Sequence, residues 1–275
     1  MKNKKIKIFL MGGIGNQLFQ ISRATSLRDE GYDIEVLLLR RFKFVAYKIL
    51  KFTQHEDWID VKALCKVARL PSREIKIFEL LLLLITYIKR KLGLKNNFDE
   101  KYFYNNVFIK SKVFNGIDVG YFQSLEHVSI IGLNQVAQAI IDVLQLKPGY
   151  YSADFVAHVR GGDFAAYDRL DVGTARKIVD LSFDKGLILT IVSNDAKYVK
   201  KIFNNINNIK IVTGNSAKSD FIFLTRAKTL FLSNSTFSFW AALCNLKLNK
   251  TDIFFNKDFS FSELLDEIHL IGRIK

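Results

Sequence analysis

The chain has 275 residues, 41 Lys+Arg against 27 Asp+Glu for a formal charge of +14, 49% hydrophobic residues, 2 Pro and 2 Cys. That length exceeds the ~100–150 residues of a common domain, so one large or two modest domains are expected, and the apolar content excludes a disordered or collagen-like chain. Two cysteines, Cys65 and Cys244, exclude a disulfide framework and a thiolate metal site and fit a reducing compartment.

From the N-terminus, the basic start Met1–Lys7 runs into an apolar stretch that breaks at Gly12-Gly13 without the small-residue cleavage signature of a secretory leader. Lys5–Met11 reads as a β-strand, Gly12-Gly13-Ile14-Gly15 as a loop, and Asn16–Glu30 as a helix with Leu18, Ile21, Ala24 and Leu27 on one face, closed by Gly31. Strand, glycine loop and helix open a βαβ unit, with Ile34–Leu39 as the parallel partner strand. The glycines admit positive φ and close backbone approach, and the helix start offers N–H groups to an anion; a plain tight βα turn explains them equally well. A dinucleotide fingerprint is excluded, because Leu18 stands at the third glycine position. Asn16 and Gln17 put two amides at the helix mouth.

From there to about Tyr121 the sequence reads as helix-rich, with Pro71-Ser72 as a start signal. A buried amphipathic helix is expected from about Ser72 to Leu92, and a basic interfacial helix is the alternative. Its apolar run, Leu80–Ile88, is too short for the ~20 residues of a membrane span. After Lys147-Pro148-Gly149, strand-like runs at Phe155–Arg160, Leu187–Ser193, Ile209–Thr213, Thr229–Ser233 and Asp252–Phe255 alternate with helices at Asp171–Phe183, Asp195–Asn204, Ala217–Lys228 and Phe237–Leu246. Strands spaced by helices make a mostly parallel sheet covered on both faces. The chain is therefore read as α/β, with two Rossmann-like domains at residues 1–146 and 147–275, and ligands are expected at the carboxyl ends of the strands.

Three further strand ends carry chemistry. His158-Val159-Arg160-Gly161-Gly162-Asp163 places His158 and Arg160 on one strand face beside a flexible turn; the guanidinium fork suits a pyrophosphate, while a core histidine and an Arg160–Asp163 turn pair are the bland alternative. Ser193-Asn194-Asp195 ends a strand with an acid that could cap the next helix or accept from guanine. Ser233-Asn234-Ser235-Thr236-Phe237 places hydroxyls where a helix begins, either as ordinary caps or as a phosphate seat. The basic residues are spread along the chain, with small clusters at Lys2–Lys7, Arg40–Lys43, Lys89–Lys95 and Lys197–Lys201 and none of the usual nucleic-acid modules. A nucleotide, polyphosphate or phospholipid surface is the expected anionic partner, and nucleic acid is not.

Taken together, these motifs resemble glycosyltransferase family 11, the α-1,2-fucosyltransferases. Gly13-Ile-Gly-Asn-Gln-Leu-Phe-Gln20 is similar to the family's opening signature and Gly120-Tyr-Phe-Gln-Ser124 to its Gly-Tyr-Trp-Gln-Ser element. His158–Asp163 resembles His-x-Arg-Arg-Gly-Asp, Ser193–Asp195 resembles Ser-Asp-Asp, and Ser233–Trp240 contains the likeness of Asn-Ser-Ser-Phe-Ser-Trp-Trp. The departures are Gly161 for the second arginine, Asn194 for the first aspartate, and Phe122 and Phe239 for tryptophans. The resemblance implies a GT-B-like fold and inverting transfer of L-fucose from GDP-β-L-fucose to a galactoside hydroxyl, with no metal or other cofactor. The alternatives are another nucleotide sugar or, outside enzymes, a basic anion-binding protein.

By position, Arg160 would stabilise the departing GDP and Asp163 is the candidate general base. Asn16 and Gln17 would line the reaction centre between the domains, and Gly13, Gly15 and Gln17 are counted among the donor-binding residues. His158 would orient the nucleotide, Asp195 would face guanine, and Ser235, Thr236 and Phe237 would seat phosphate. The N-terminal domain would take a glycan acceptor, lipid-linked or free, and the C-terminal domain the donor. A cytoplasmic protein is expected, with peripheral contact with the anionic inner face of the cell membrane as an open alternative.

Overall fold

The computed structural model describes residues 5–39, 58–81, 103–104, 107–108, 112–114, 117–161, 170, 172–203, 206, 209–249, 251–255 and 259–267. The chain divides into two compact units, Met1–Val143 and Leu144–Lys275.

In the first unit β1 (Ile6–Phe9) leads through the glycine loop into α1 (Ile14–Asp29), then β2 (Ile34–Leu38), α2 (Val61–Val67) and the edge strand β3 (Ser72–Glu74). A two-stranded β4 (Phe103–Tyr104) and β5 (Val107–Phe108) lie apart from the main sheet; β6 (Lys112–Phe114) and β7 (Ile117–Val119) follow, then α3 (Ile130–Leu144). The sheet order is β3-β2-β1-β7-β6, parallel except for the β6–β7 hairpin. The residues from β1 to α1 are almost all buried, because the strand lies inside the sheet and the helix packs on it. α3 crosses α1 at Gly132, where a Cβ would lie 2.6 Å from Ser26 Oγ and 2.8 Å from Thr25 Oγ1, so glycine sets the distance between these helices.

Two expectations for this unit change. Ser72–Glu74 is a strand paired with β2, not the start of a helix; residues 77–81 are helical, with Glu79 and Leu80 buried and Ile77 and Phe78 65% and 67% exposed, and the rest of the expected helix, residues 82–92, lies outside the described residues. The polar Ser-Arg-Glu edge is held by ions instead of by periodicity. Buried Glu79 accepts from Arg73 Nη2 and Lys7 Nζ, each at 2.7 Å, and Arg73 also pairs with Glu35 at 3.0 Å. The stretch before Tyr121 also contains short strands where helices were expected; strands of two or three residues leave no period to read.

The second unit has β8 (Ala153–Val159), α4 (Val172–Asp184), β9 (Leu189–Ser193), α5 (Ala196–Ile202), β10 (Ile209–Val212), α6 (Ala217–Leu224), β11 (Ala227–Leu232), α7 (Thr236–Leu248), β12 (Asp252–Phe255) and α8 (Ser262–Glu267). Its sheet is wholly parallel, in the order β10-β9-β8-β11-β12. β9 is buried throughout and β11 exposes only Lys228, as strands covered on both faces should. The fold class is the one expected: α/β, two Rossmann-like sheets flanked by helices. The helix expected over Ala217–Lys228 is shorter, because Ala227 already belongs to β11.

Both sheets reverse their winding beside a central strand, at β1/β7 in the first and β8/β11 in the second. Such switch points open a crevice at the carboxyl ends of the strands. The motifs lie after those strands. Among the described residues, no helix is long and apolar enough to cross a membrane.

Candidate functional site

At the first switch point the glycine loop is closed by amides. Gly12 has φ +78°, and a Cβ there would meet Asn16 Nδ2 at 3.0 Å and the Tyr121 ring at 3.1 Å. Gly13 is the N-cap of α1, with no side-chain cap, and its carbonyl accepts from the Asn16 and Gln17 N–H groups at 3.0 and 3.1 Å. Gln17 Nε2 donates to Gly12 O at 2.9 Å. Gln20, fully buried, accepts from Met11 N at 2.9 Å and donates to Gly120 O at 3.0 Å, joining the ends of β1 and β7. Gln123 Nε2 donates to Asn16 Oδ1 at 2.9 Å. Burial pushes the Tyr121 phenol above its usual range. This end of the unit is neutral and rich in amide groups, and Gly15 is buried in the first turn of α1.

At the second switch point the chemistry is cationic and hydroxylic. His158 is buried near the end of β8, and its Nδ1 lies 2.7 Å from Ser233 Oγ and 2.5 Å from Ser238 Oγ; the two hydroxyls are 3.0 Å apart. Burial first, then the charge of Arg160, push the imidazole down to about 3. It is therefore neutral at working pH and unsuited to act as a general base near neutrality. It ties β8 to the loop between β11 and α7. Phe237 packs its ring 5.4 Å from that of His158 and 5.4 Å from Phe221.

Arg160, one residue past β8, donates from Nη1 to Ser235 Oγ at 3.2 Å. Ser235 is the N-cap of α7 and accepts from Phe237 N at 3.2 Å, while Thr236, half-buried, begins the helix. A guanidinium and the N–H groups at the start of a 13-residue helix thus meet around one hydroxyl, an arrangement that attracts phosphate oxygens.

Beside it, the Asn194 and Asp195 side chains converge on Gly161. Gly161 N donates to Asn194 Oδ1 at 2.9 Å, and a Cβ on residue 161 would lie 2.4 Å from Asp195 Cβ. Asp195 does cap the next helix, accepting from Tyr198 N at 3.0 Å. Asp163 lies outside the described residues.

Sequence-predicted residues thus form two groups, one in each unit. Arg160, His158, Ser235, Thr236 and Phe237 share the second switch point, with Asp195 beside Gly161; Gly13, Gly15, Asn16 and Gln17 lie at the first. Sequence reasoning did not single out Gln20, Gln123, Ser233 or Ser238 as functional. The signal was their place inside the quoted motifs, and only the contacts separate them from capping residues. Among the described residues no three His, Cys, Asp or Glu side chains group to hold a metal ion.

The model of the family described as glycosyl transferase family 11 matches residues 111–269. An alpha-1,2-colitosyltransferase of Escherichia coli is 24% identical over 258 residues, covering 85% of each chain. Among solved structures, the fucosyltransferase NodZ from Bradyrhizobium aligns with TM-score 0.47 and 14% identity over 88% of this chain and 93% of that one. The E. coli heptosyltransferase WaaC with ADP aligns with TM-score 0.44 and 9% identity over 94% and 89%.

Proposed function

Because the chain belongs to glycosyl transferase family 11 and is a glycosyltransferase, we propose that it moves L-fucose from GDP-β-L-fucose to a galactoside hydroxyl, forming an α-1,2 linkage with inversion and without a metal ion. The observation that carries this reading is the 3.2 Å contact of Arg160 with the Ser235 cap of α7. As the bond from the sugar C1 to the diphosphate breaks, its electron pair passes to the phosphate oxygen. A fixed guanidinium and helix N–H groups at that point lower the barrier by stabilising the charge as it develops. The acceptor oxygen attacks C1 from the opposite face and loses its proton to a base, the role assigned to Asp163.

His158, buried and neutral, holds the Ser233–Ser238 loop in register with β8, and so acts on the nucleotide through the phosphate seat. Asp195 accepts from guanine. The C-terminal unit takes the donor and the N-terminal unit the acceptor, with Asn16 and the Gly13–Gln17 loop as its polar end. The acceptor is a growing surface polysaccharide such as O-antigen or capsule, lipid-linked, at the cytoplasmic face of the membrane. The second reading, colitose as the transferred sugar, is favoured by the name of the E. coli relative.

Thermal shift with GDP, UDP, ADP and CMP separates donor classes, since a ligand bound only by the native state raises its melting temperature. GDP alone is expected to stabilise. Transfer from GDP-fucose to a galactoside panel completes the test; turnover only with a non-guanosine donor would overturn the reading.

A further inference from the structure

The two charged positions this chain lacks relative to the motifs it resembles, 161 and 194, are in contact. Gly161 carries no side chain, and none fits without displacing Asp195, whose Cβ would be 2.4 Å away. In its place the backbone N–H of Gly161 binds Asn194 Oδ1 at 2.9 Å. Only an oxygen can accept that N–H, so the contact fixes the amide flip and turns Nδ2, a donor, away from Gly161. Asn194 is exposed, just past the carboxyl end of β9, and Asp195 beside it supplies a carboxylate.

An amide donor next to a carboxylate acceptor matches one edge of guanine, where O6 accepts and N1–H and the 2-amino group donate. Adenine offers the reverse order, and an aspartate at 194 would face O6 with an acceptor.

We infer that Asn194 is a specificity-determining residue that donates from Nδ2 to guanine O6, with Gly161 as the backbone clamp that orients it. This rests on the proposed GDP donor and deepens it. A site built to donate to a ligand oxygen rejects analogues that lack it, because its own polar group is then left unpaired.

The test measures binding of GDP and of 6-thio-GDP, whose sulfur is a weak acceptor, to the full-length protein and to Asn194→Asp. The variant keeps an oxygen for Gly161 N but removes the donor. Wild type is expected to bind GDP at least about fivefold more tightly than 6-thio-GDP, and Asn194→Asp to lose about tenfold for GDP and most of that preference. Equal binding of the two nucleotides by wild type overturns the inference without needing the variant to fold. So does a folded Asn194→Asp that keeps both affinity and preference. If wild type binds UDP or ADP as well as GDP, the donor reading falls and the inference with it; if GDP is preferred but the sulfur is ignored, only the inference falls.

Discussion

The two units present the same topological feature with different chemistry. After β1 and β7 the chain closes its switch point with glycine, Asn16, Gln17, Gln20, Tyr121 and Gln123, all neutral, and most of their polar atoms bind one another or nearby backbone. After β8 and β11 it places Arg160, a hydroxyl-capped helix and a buried histidine that binds two serines. A parallel sheet supplies the crevice in both cases; the residues that follow the strands decide whether it suits a neutral or an anionic ligand. The glycine loop, the more conspicuous motif in sequence, is held by its own amides, with Gly12 close against Asn16 and Tyr121 and its carbonyl accepting from Gln17.

Arg160→Ala removes the cation that sets the second switch point apart from the first. It is expected to reduce kcat by about 100- to 1,000-fold, as loss of a preorganised donor to a developing anion does, with the melting temperature nearly unchanged because the side chain is only partly buried. An equal loss of activity from Asn16→Ala, with Arg160→Ala active, would reverse the roles of the two units.

Gly161→Arg, which restores the residue of the resembled motif, is expected to lower stability by about 1–3 kcal/mol and to weaken GDP binding, because Asp195 occupies the space. Denaturant titration of the variant checks this. Improved turnover would show that the missing charge, not the local packing, governs the site.

Gln20→Ala in the other unit leaves Met11 N and Gly120 O without their buried partner, a loss of about 1–3 kcal/mol in urea unfolding. It should cost more stability than Asn16→Ala, whose bond to Gln123 is only partly buried.

Acid distinguishes the units by window. His158 has its folded value pushed down to about 3 by burial and Arg160, below an ordinary 6.5. The unfolded chain therefore binds the proton first, and stability falls as pH drops from 6.5 towards 3, by about 2 kcal/mol at pH 5. Glu79 is held down to about 2 chiefly by its hydrogen bonds to Arg73, below an ordinary 4.5, so its contribution is intact above pH 4.5 and lost as pH falls towards 2. Hydrogen exchange at pH 5 should loosen β8 and α7 before β1 and β2; the opposite order would contradict the assignment of His158 as buried and neutral.

The second unit was largely legible because a two-sided parallel sheet writes continuous apolar runs such as Leu189–Val192 and Leu230–Leu232. β3 was not, since Ser72-Arg73-Glu74 is held by ion pairs to Glu79 and Glu35 that no local pattern announces. Arg160 and Ser235 could be picked out as single residues beside strand ends. That His158 would bind Ser238, 80 positions away, is a tertiary fact, and so is the neutrality of that histidine, which follows from burial first and then from the charge of Arg160. Gly161 reads in sequence as a missing charge; its contact with Asn194 and Asp195 makes it a position where glycine is required.

The most direct measurement is a crystal structure of the full-length protein with GDP. Diphosphate oxygens are expected on the Arg160 guanidinium and the start of α7 at Ser235–Phe237, with guanine against Asn194 and Asp195. GDP seated instead on the Gly12–Gln17 loop, with no phosphate oxygen on Arg160, would contradict this assignment.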